Sequence, residues 1–356
     1  MSKYWSELIR GLDPYVPGEQ PGDRKYIKLN TNENPYPPSP AVLEAIREHT
    51  GKDLRLYPDP DGDILKTAIA DYFQVDKKNV FVGNGSDEVL ALAFITFFKQ
   101  EKPILYPDTT YTFYPVYSKF FEIEAETIPL TDDFRINLAD YPVDNGGIIF
   151  PNPNAPTGRF LILEHIESLL KRNTATVVIV DEAYVDFGGE SCISLIKNYP
   201  NLLVIQTLSK ARSLAGMRVG YAIGPAELID GLERAKNSFN SYPLDRLALV
   251  AAAAAIKDRS YFKTTCQAII ATREWSTTEL EKLDFEVIPS TANFVFIRHR
   301  IRKAEEIFSA LRKRGVLVRY FKLPRIDNHL RVTIGTDDEM REFIRQLQAI
   351  LSEKAL

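Results

Sequence analysis

A lysine, an aspartate, a tyrosine, a serine and an arginine fall at or beyond the ends of two apolar runs. Val177-Val178-Ile179-Val180 runs into Asp181-Glu182-Ala183-Tyr184. Leu202-Leu203-Val204-Ile205 leads to Thr207-Leu208-Ser209-Lys210, with Arg218 eight residues further on. Apolar runs of this kind read as buried strands. In an open α/β sheet, ligands bind outside the carboxyl ends of the strands. A lysine amine placed there can form a Schiff base with an aldehyde, and a neighbouring carboxylate keeps a ring nitrogen protonated. Those are the groups that pyridoxal phosphate requires. A lysine alone is ordinarily a solvated surface charge; here the weight lies in Ser209, Arg218 and Asp181 beside it.

Such a cofactor also needs a phosphate site. Val80-Phe81-Val82 reads as a short strand that turns through Gly83-Asn84-Gly85-Ser86-Asp87-Glu88 into an apolar helix from Val89 to Phe98. Glycines ahead of a helix let backbone N–H groups approach an anion, and the helix dipole favours one there. The stretch lacks the Gly-Lys-Ser/Thr ending of a Walker motif, and Glu88 stands where GxGxxG needs its last glycine. A dinucleotide site is therefore set aside, and Gly85, Ser86 and Asp87 are left as a candidate phosphate cradle.

The positioning elements follow from the same patterns. Strands at 104–107, 147–150, 177–180, 202–205 and 219–224 alternate with amphipathic helices such as 63–73 and 161–172, which predicts an α/β fold with a mainly parallel sheet. Ser39-Pro40 has the residues of an N-cap and first turn. A short helix is expected over residues 1–12, with Tyr4, Trp5, Leu8 and Ile9 on one face and Gly11 ending it. Beyond Ala226 a long helical region runs to about Leu280, broken near Tyr242-Pro243. Strands at 294–297, 316–319 and 330–334 follow, with helices at 304–314 and from Asp337 to Lys354. The division predicted is an N-terminal segment (1–34) packing on a small domain, a large cofactor-binding domain (35–245) and a smaller α+β C-terminal domain (246–356).

Composition narrows the function classes. The chain has 356 residues, 45% hydrophobic and 26% charged, with a net charge of -4. That size suits a large domain plus a smaller one, and that charge offers no general attraction to nucleic acid or an anionic membrane. The two cysteines, Cys192 and Cys266, make no disulfide framework and fit a reducing cytoplasm. The four histidines show no metal-ligand spacing, so no metal is expected. Neither a signal peptide nor a membrane span is expected.

Together these motifs resemble those of fold-type I aminotransferases, and most closely the histidinol-phosphate aminotransferases, from about Asp13 to Thr336. The resemblance implies a fold-type I architecture, pyridoxal 5'-phosphate, and transamination of histidinol phosphate with 2-oxoglutarate to give glutamate, in histidine biosynthesis. It implies that Lys210 carries the cofactor and acts as base, that Asp181 holds the pyridine nitrogen and that Tyr184 tunes the phenolic oxygen. Ser209, Arg218 and the Gly85-Ser86-Asp87 turn would bind phosphate, and Tyr111 would stack on the ring. Tyr57, within Leu54-Arg55-Leu56-Tyr57-Pro58-Asp59-Pro60, matches a tyrosine that crosses a homodimer interface to the neighbouring subunit's cofactor. Tyr15, Asn32 (in an Asn-Glu-Asn-Pro loop), Arg319 and Arg331 match substrate-binding positions; a guanidinium fork suits carboxylate and phosphate alike.

One position departs from the family. Most relatives place an asparagine directly before Pro156-Thr157-Gly158, donating to the phenolic oxygen, whereas this chain has Ala155. Alanine has no side-chain donor. Either Asn154 takes over, or Asn152 does, or the bond is absent; Asn154 is the choice carried forward, with Tyr184 able to hold the same oxygen. The scaffold also serves aromatic amino-acid aminotransferases and threonine-phosphate decarboxylases. A cofactor-binding regulatory module is the reading from another class; it would carry a DNA-binding domain and a basic patch, and neither leads this chain.

Overall fold

The computed structural model describes residues 2–353. Met1 and residues 354–356, which include the expected last residue of the C-terminal helix (Lys354), lie outside the described residues. In chain order, α1 (Glu7–Gly11), β1 (Ile27–Leu29), α2 (Pro40–His49) and α3 (Asp63–Phe73) come first. Then follow β2 (Val80–Asn84), α4 (Gly85–Phe97), β3 (Ile104–Pro107), α5 (Phe113–Phe120), β4 (Ala125–Ile128), β5 (Ile148–Pro151) and α6 (Leu163–Arg172). The centre of the chain holds β6 (Val178–Asp181), β7 (Leu202–Thr207), β8 (Val219–Ile223), α7 (Ala226–Phe239) and α8 (Arg246–Lys257). The last part is α9 (Arg259–Glu281), β9 (Phe285–Ile288), β10 (Phe294–His299), α10 (Ala304–Lys313), β11 (Val316–Tyr320), β12 (Leu330–Thr333) and α11 (Asp337–Ser352).

Seven strands form one sheet in the order β2-β8-β7-β6-β5-β3-β4. All neighbours run parallel except β8, which is antiparallel to both β2 and β7. The strands β5, β6 and β7 are buried along their whole length, which is why their sequences are continuous apolar runs instead of alternating ones. Parallel pairing sets their carboxyl ends side by side: Pro151 is register partner of Asp181, and Asp181 of Ile205. The residues after each strand therefore emerge at one edge.

A second sheet has the order β1-β11-β12-β10-β9. Here β1 lies parallel to β11, with Ile27 opposite Val316, so the chain's beginning joins a sheet built from its end. In the antiparallel β11–β12 pair, Arg319 and Arg331 are direct cross-strand partners.

The helical region divides differently from the sequence expectation. The break near Tyr242-Pro243 is present, but α8, expected to open the small domain at 246, packs on α2 and α3. Its Ala248, Leu249, Ala251 and Ala252 share a core with Val42, Leu65 and Ile69. Alanines allow helix axes to approach closely, which is what this three-helix contact needs. Packing partners change at Asp258, which ends α8 and caps α9, its side chain accepting from the Tyr261 N–H at 3.1 Å. From there α9 packs on β9, β10 and α11. The N-terminal helix is shorter than expected, and Tyr4 and Trp5 precede it in exposed positions. Conversely α4 begins at Gly85, not Val89, so the glycine turn is itself the helix's first turn.

Candidate functional site

The ends of β5, β6 and β7 and the N-terminus of α4 form the floor of one cavity of about 200 Å³. Tyr15, Asn32, Ser86, Asp87, Tyr111, Asp181, Tyr184, Ser209, Lys210, Arg218, Arg319 and Arg331 all line it. These residues come from both sheets and from the N-terminal segment, so the site exists only once the chain's two ends meet.

Lys210 lies three residues beyond β7. Its Nζ donates to the Thr31 carbonyl at 3.2 Å and stands 5.9 Å from the centre of the Tyr184 ring. Its own carbonyl and that of Ala211 accept from Asn34 Nδ2 at 3.1 and 3.3 Å, which fixes the backbone that aims the amine. Asp181, the last residue of β6, is 4% exposed. Its Oδ2 accepts from Tyr114 Oη at 3.0 Å and its Oδ1 from the Ala183 N–H at 3.2 Å. Burial pushes the Asp181 carboxyl up to about 6, against the lowering by those two hydrogen bonds. A buried acid with a raised pKa is stabilised as a carboxylate by any cation placed beside it. The Tyr184 hydroxyl accepts from Asn32 Nδ2 at 3.0 Å, so its own hydrogen remains available to the cavity. Asn32 is itself held on three sides. Its N–H donates to Thr333 Oγ1 at 2.9 Å, its Oδ1 accepts from that hydroxyl at 3.0 Å, and its carbonyl accepts from Asn293 Nδ2 at 3.0 Å.

At the start of α4, backbone and side chains converge on an anion-sized space. The first N–H groups of a helix have no partner within it. Gly85 has φ +80°, and a Cβ there would stand 2.5 Å from Arg218 Nη2. Gly220 on β8 passes so close that a Cβ would stand 2.3 Å from the Ser86 nitrogen. Both glycines are needed for the strand, the helix start and the guanidinium to meet. Arg218, itself left-handed at φ 52°, donates to Asp87 Oδ2 at 3.0 Å and to Ser209 Oγ at 3.5 Å. Asp87 Oδ1 accepts from Tyr111 Oη at 2.8 Å. The Asp87 carboxylate can only accept, so it orients Arg218 and Tyr111, and what it offers an anion is its main-chain N–H. Burial, then Asp87, raises the Tyr111 phenol well above its ordinary value, keeping it a neutral ring.

The opposite wall carries two arginines. Arg331 Nη2 donates to the Asn30 carbonyl at 3.0 Å, while its Nε is buried without a partner. Arg319 donates to the carbonyls of Val16 and Pro17 at 3.2 and 3.4 Å, holding the N-terminal segment across the cavity. Tyr15, in the same segment, stacks on Phe113 of α5 at 4.3 Å. Most donors of both guanidiniums are unspent, and an orphaned buried donor is costly unless an acceptor arrives.

Residues 24–347 match the family model for aminotransferase class I and II. The chain belongs to that family. It is 61% identical to histidinol-phosphate aminotransferase 1 of Hydrogenovibrio crunogenus, over 99% of each chain. It is 57% identical to the histidinol-phosphate aminotransferase of Clostridium acetobutylicum, covering 99% of this chain and 100% of that one. Among solved structures, the Sinorhizobium meliloti histidinol-phosphate aminotransferase in complex with pyridoxal-5'-phosphate superposes with a TM-score of 0.91, at 24% identity over 100% of this chain and 99% of that one. The Clostridium acetobutylicum histidinol-phosphate aminotransferase structure gives a TM-score of 0.84 at 26% identity, over 91% and 98%. The fold is that of these aminotransferases.

Three predicted positions of this aminotransferase-family chain stand apart from the cavity lining. Gly85 lies behind it, as the turn that lets Arg218 approach. Tyr57 is 79% exposed and lines no part of this chain's own cavity. It stacks on Tyr242 at 4.7 Å, and its carbonyl accepts from Arg246 Nη2 at 3.2 Å. Asn154 is a correction. It heads a tight turn in which Gly158 N–H donates to its carbonyl at 2.7 Å, and its own N–H donates to Arg159 O at 2.7 Å. Its side-chain NH2 is spent on Thr109 O at 3.1 Å and Thr157 Oγ1 at 3.0 Å. Ala155 faces the cavity in its place. Asn152 turns the other way, exchanging hydrogen bonds with the Leu161 backbone.

Tyr114, Asn34, Thr333, Asn293 and Gly220 were not singled out by sequence. Asn34 stood inside the Asn-Pro-rich loop and could have been marked on that ground. Tyr114 carried no separate signal, because a tyrosine in an apolar helix reads as core.

Proposed function

We propose that this chain transaminates histidinol phosphate, with 2-oxoglutarate as amino acceptor, using pyridoxal 5'-phosphate, in histidine biosynthesis in the cytoplasm. The observation that carries the reaction class is one cavity holding a lysine amine, a buried carboxylate, a helix N-terminus with an arginine, and two further arginines opposite. The substrate rests on the names of relatives that match the chain from end to end. Among the described residues no helix is long and apolar enough to cross a membrane.

The residues fit the cofactor. Lys210 would hold its aldehyde carbon, Asp181 its ring nitrogen and Tyr184 its phenolic oxygen. Ser209, Arg218, Ser86 and the α4 backbone would hold its phosphate, in the space that the two glycines keep open, and Tyr111 would cover the ring. With Asn154 turned away, Tyr184 is the donor to the phenolic oxygen, supported from behind by Asn32 and Thr333. Tyr57 would reach the phosphate of a second copy, which makes a homodimer part of the proposal. The division of labour along the chain then follows packing: a large unit from about 35 to 257 and a small one from 258, joined by β1.

Bound there, pyridoxal phosphate supplies an electron-withdrawing ring conjugated to the substrate's amine. The chain's residues do the rest. Asp181 would hold a protonated ring nitrogen as its counter-ion, since a cation beside the buried carboxyl favours the ionised form. The Lys210 amine would serve as the base that takes the proton from the amine-bearing carbon of the substrate and holds it as the ammonium. Arg319 and Arg331 bind a phosphate in one half-reaction and a carboxylate in the other, and Tyr15 closes the same wall.

The test is a single turnover. The purified holoenzyme is mixed with histidinol phosphate alone, and the cofactor's visible absorbance is followed. Loss of that band, and its return on adding 2-oxoglutarate, establishes both halves. A band that answers only to phenylalanine or tyrosine leaves the fold and cofactor standing and overturns the substrate.

A further inference from the structure

We propose that Arg325 is a positioning residue for the two substrate-facing arginines, acting by tying the β11–β12 hairpin to Asp108 on the large unit. The inference rests on the proposed anion-binding role of Arg319 and Arg331.

The hairpin's geometry leads to it. Arg319 and Arg331 sit on the two strands of one antiparallel pair, directly opposite each other. The loop joining those strands does not project into solvent. Its Phe321 and Ile326 are buried, and they share a core with Phe134, Ile136 and Leu138 of the large unit. His329, the residue before β12, stacks on Phe296 at 4.7 Å and meets Phe134 edge-on at 5.2 Å. Between these apolar anchors stands Arg325. Its Nη1 donates to Asp108 Oδ2 at 2.6 Å, and its Nη2 donates to the carbonyls of Leu130 and Thr131, each at 3.0 Å. The other carboxylate oxygen of Asp108 accepts from Leu130 N–H at 3.0 Å. One carboxylate thus joins the end of β3, the segment after β4 and the hairpin tip.

Two features mark this as more than an incidental surface pair. Arg325 holds φ 68°, a left-handed conformation that costs a non-glycine residue and persists only where its surroundings enforce it. The partner is also well placed, because Asp108 is followed by Thr109, Thr110 and Tyr111, and Tyr111 lines the same cavity as Arg319 and Arg331. The clamp therefore links the arginine wall to the aromatic wall through a few residues on each side. A partly exposed ion pair such as this adds only modest stability by itself. What this one fixes is a distance, and small misplacements of binding groups cost affinity steeply.

The experiment uses the holoenzyme and two separate changes, Arg325→Ala and Asp108→Asn; the second keeps an acceptor for Leu130 N–H and leaves the hairpin backbone as it is. Steady-state rates with histidinol phosphate are compared with the dissociation constant of glutarate, an unreactive dicarboxylate, read from the cofactor's absorbance. Each variant is expected to raise KM and the glutarate Kd about tenfold, with kcat within about twofold and the unfolding midpoint unchanged. The double variant is expected to be no worse than either single one, and Arg325→Lys is expected to recover part of the loss. Unchanged KM and Kd would overturn the proposal. So would parallel losses of kcat, KM and stability, which a merely structural contact gives. If the unaltered protein fails to turn over histidinol phosphate, the substrate reading falls, and the glutarate Kd still decides on Arg325.

Discussion

At the α4 end of the cavity the charged groups hold one another, while at the small-sheet end they hold the main chain. Asp87 accepts from Tyr111 and Arg218, and Arg218 also reaches Ser209 Oγ at 3.5 Å and the Ala215 carbonyl at 3.4 Å, so side chains make most of these bonds. Arg319 and Arg331 instead donate to carbonyls of residues 16, 17 and 30, with Arg331 Nε unpaired. The first arrangement is preorganised for one resident anion, because its dipoles are already aimed. The second gives way at low cost, since a bond to a neutral carbonyl is readily exchanged for one to a charged acceptor. A site that keeps one anion and passes others in turn needs this asymmetry.

The largest disruption comes at the point both ends share. Lys210→Ala is expected to lower kcat by about 10⁴-fold or more, with the protein still folded by circular dichroism; retention of even a few per cent of the rate would remove the lysine from the mechanism. At the arginine end, Arg331→Ala is expected to raise KM for histidinol phosphate about 10- to 100-fold, the weight of a charge-assisted pair. The same change is expected to leave the cofactor's affinity nearly untouched, and Arg331→Lys should recover little, because a point charge does not replace a fork. Equal losses of substrate and cofactor affinity would erase the distinction between the ends.

The cofactor end can be probed through stability. With Asp181 raised from 3.8 to about 6 in the cofactor-free fold, the folded state binds more protons than the unfolded one between those values. Stability from this group is therefore fully present below about pH 4 and is lost as pH rises through 6, in total roughly 3 kcal/mol. Glu182, buried beside it and also raised to about 6, adds a similar slope. Urea melts of cofactor-free protein at pH 4, 5, 6 and 7 are expected to show the decline, with a shallower one in Asp181→Asn; identical slopes would mean that Asp181 is not the group responsible. A smaller effect is expected from Tyr114→Phe. Removing its hydrogen bond raises the Asp181 carboxyl further, so the kcat–pH profile should move towards higher pH with at most about a tenfold loss of rate. A profile that stays in place would assign Tyr114 to packing alone.

Much of this was readable before the structure. The runs 177–180 and 202–205 are legible because strands buried on both faces cannot alternate, and the residues after them, Asp181 and Lys210 among them, line the cavity. Strands β1, β4 and β9 were not legible. The first has three residues and exists through pairing with a partner almost 290 positions away, Ile27 with Val316, and β4 is an edge strand with only Ile128 buried. The boundary at Asp258 was hidden for a related reason. A helix's sequence records that it has an apolar face, not which elements that face meets, and α8 meets α2 and α3 where α9 meets β9, β10 and α11. Asn154 shows the limit at the scale of one side chain. Residue type marks Asn154 as a possible donor, but turn geometry decides that its amide points to Thr109 and that Ala155 faces the cavity.

The opposed pair Arg319 and Arg331 has a consequence for how the protein withstands heat. Two guanidiniums facing each other across one ladder repel, so the small sheet carries a built-in weakness at its centre whenever no anion lies between them. An anion that binds there relieves the repulsion and stabilises by mass action, in proportion to the logarithm of its concentration. The melting temperature is thus expected to climb with inorganic phosphate and to climb less in Arg331→Ala, which makes the enzyme's durability a gauge of the anions around it.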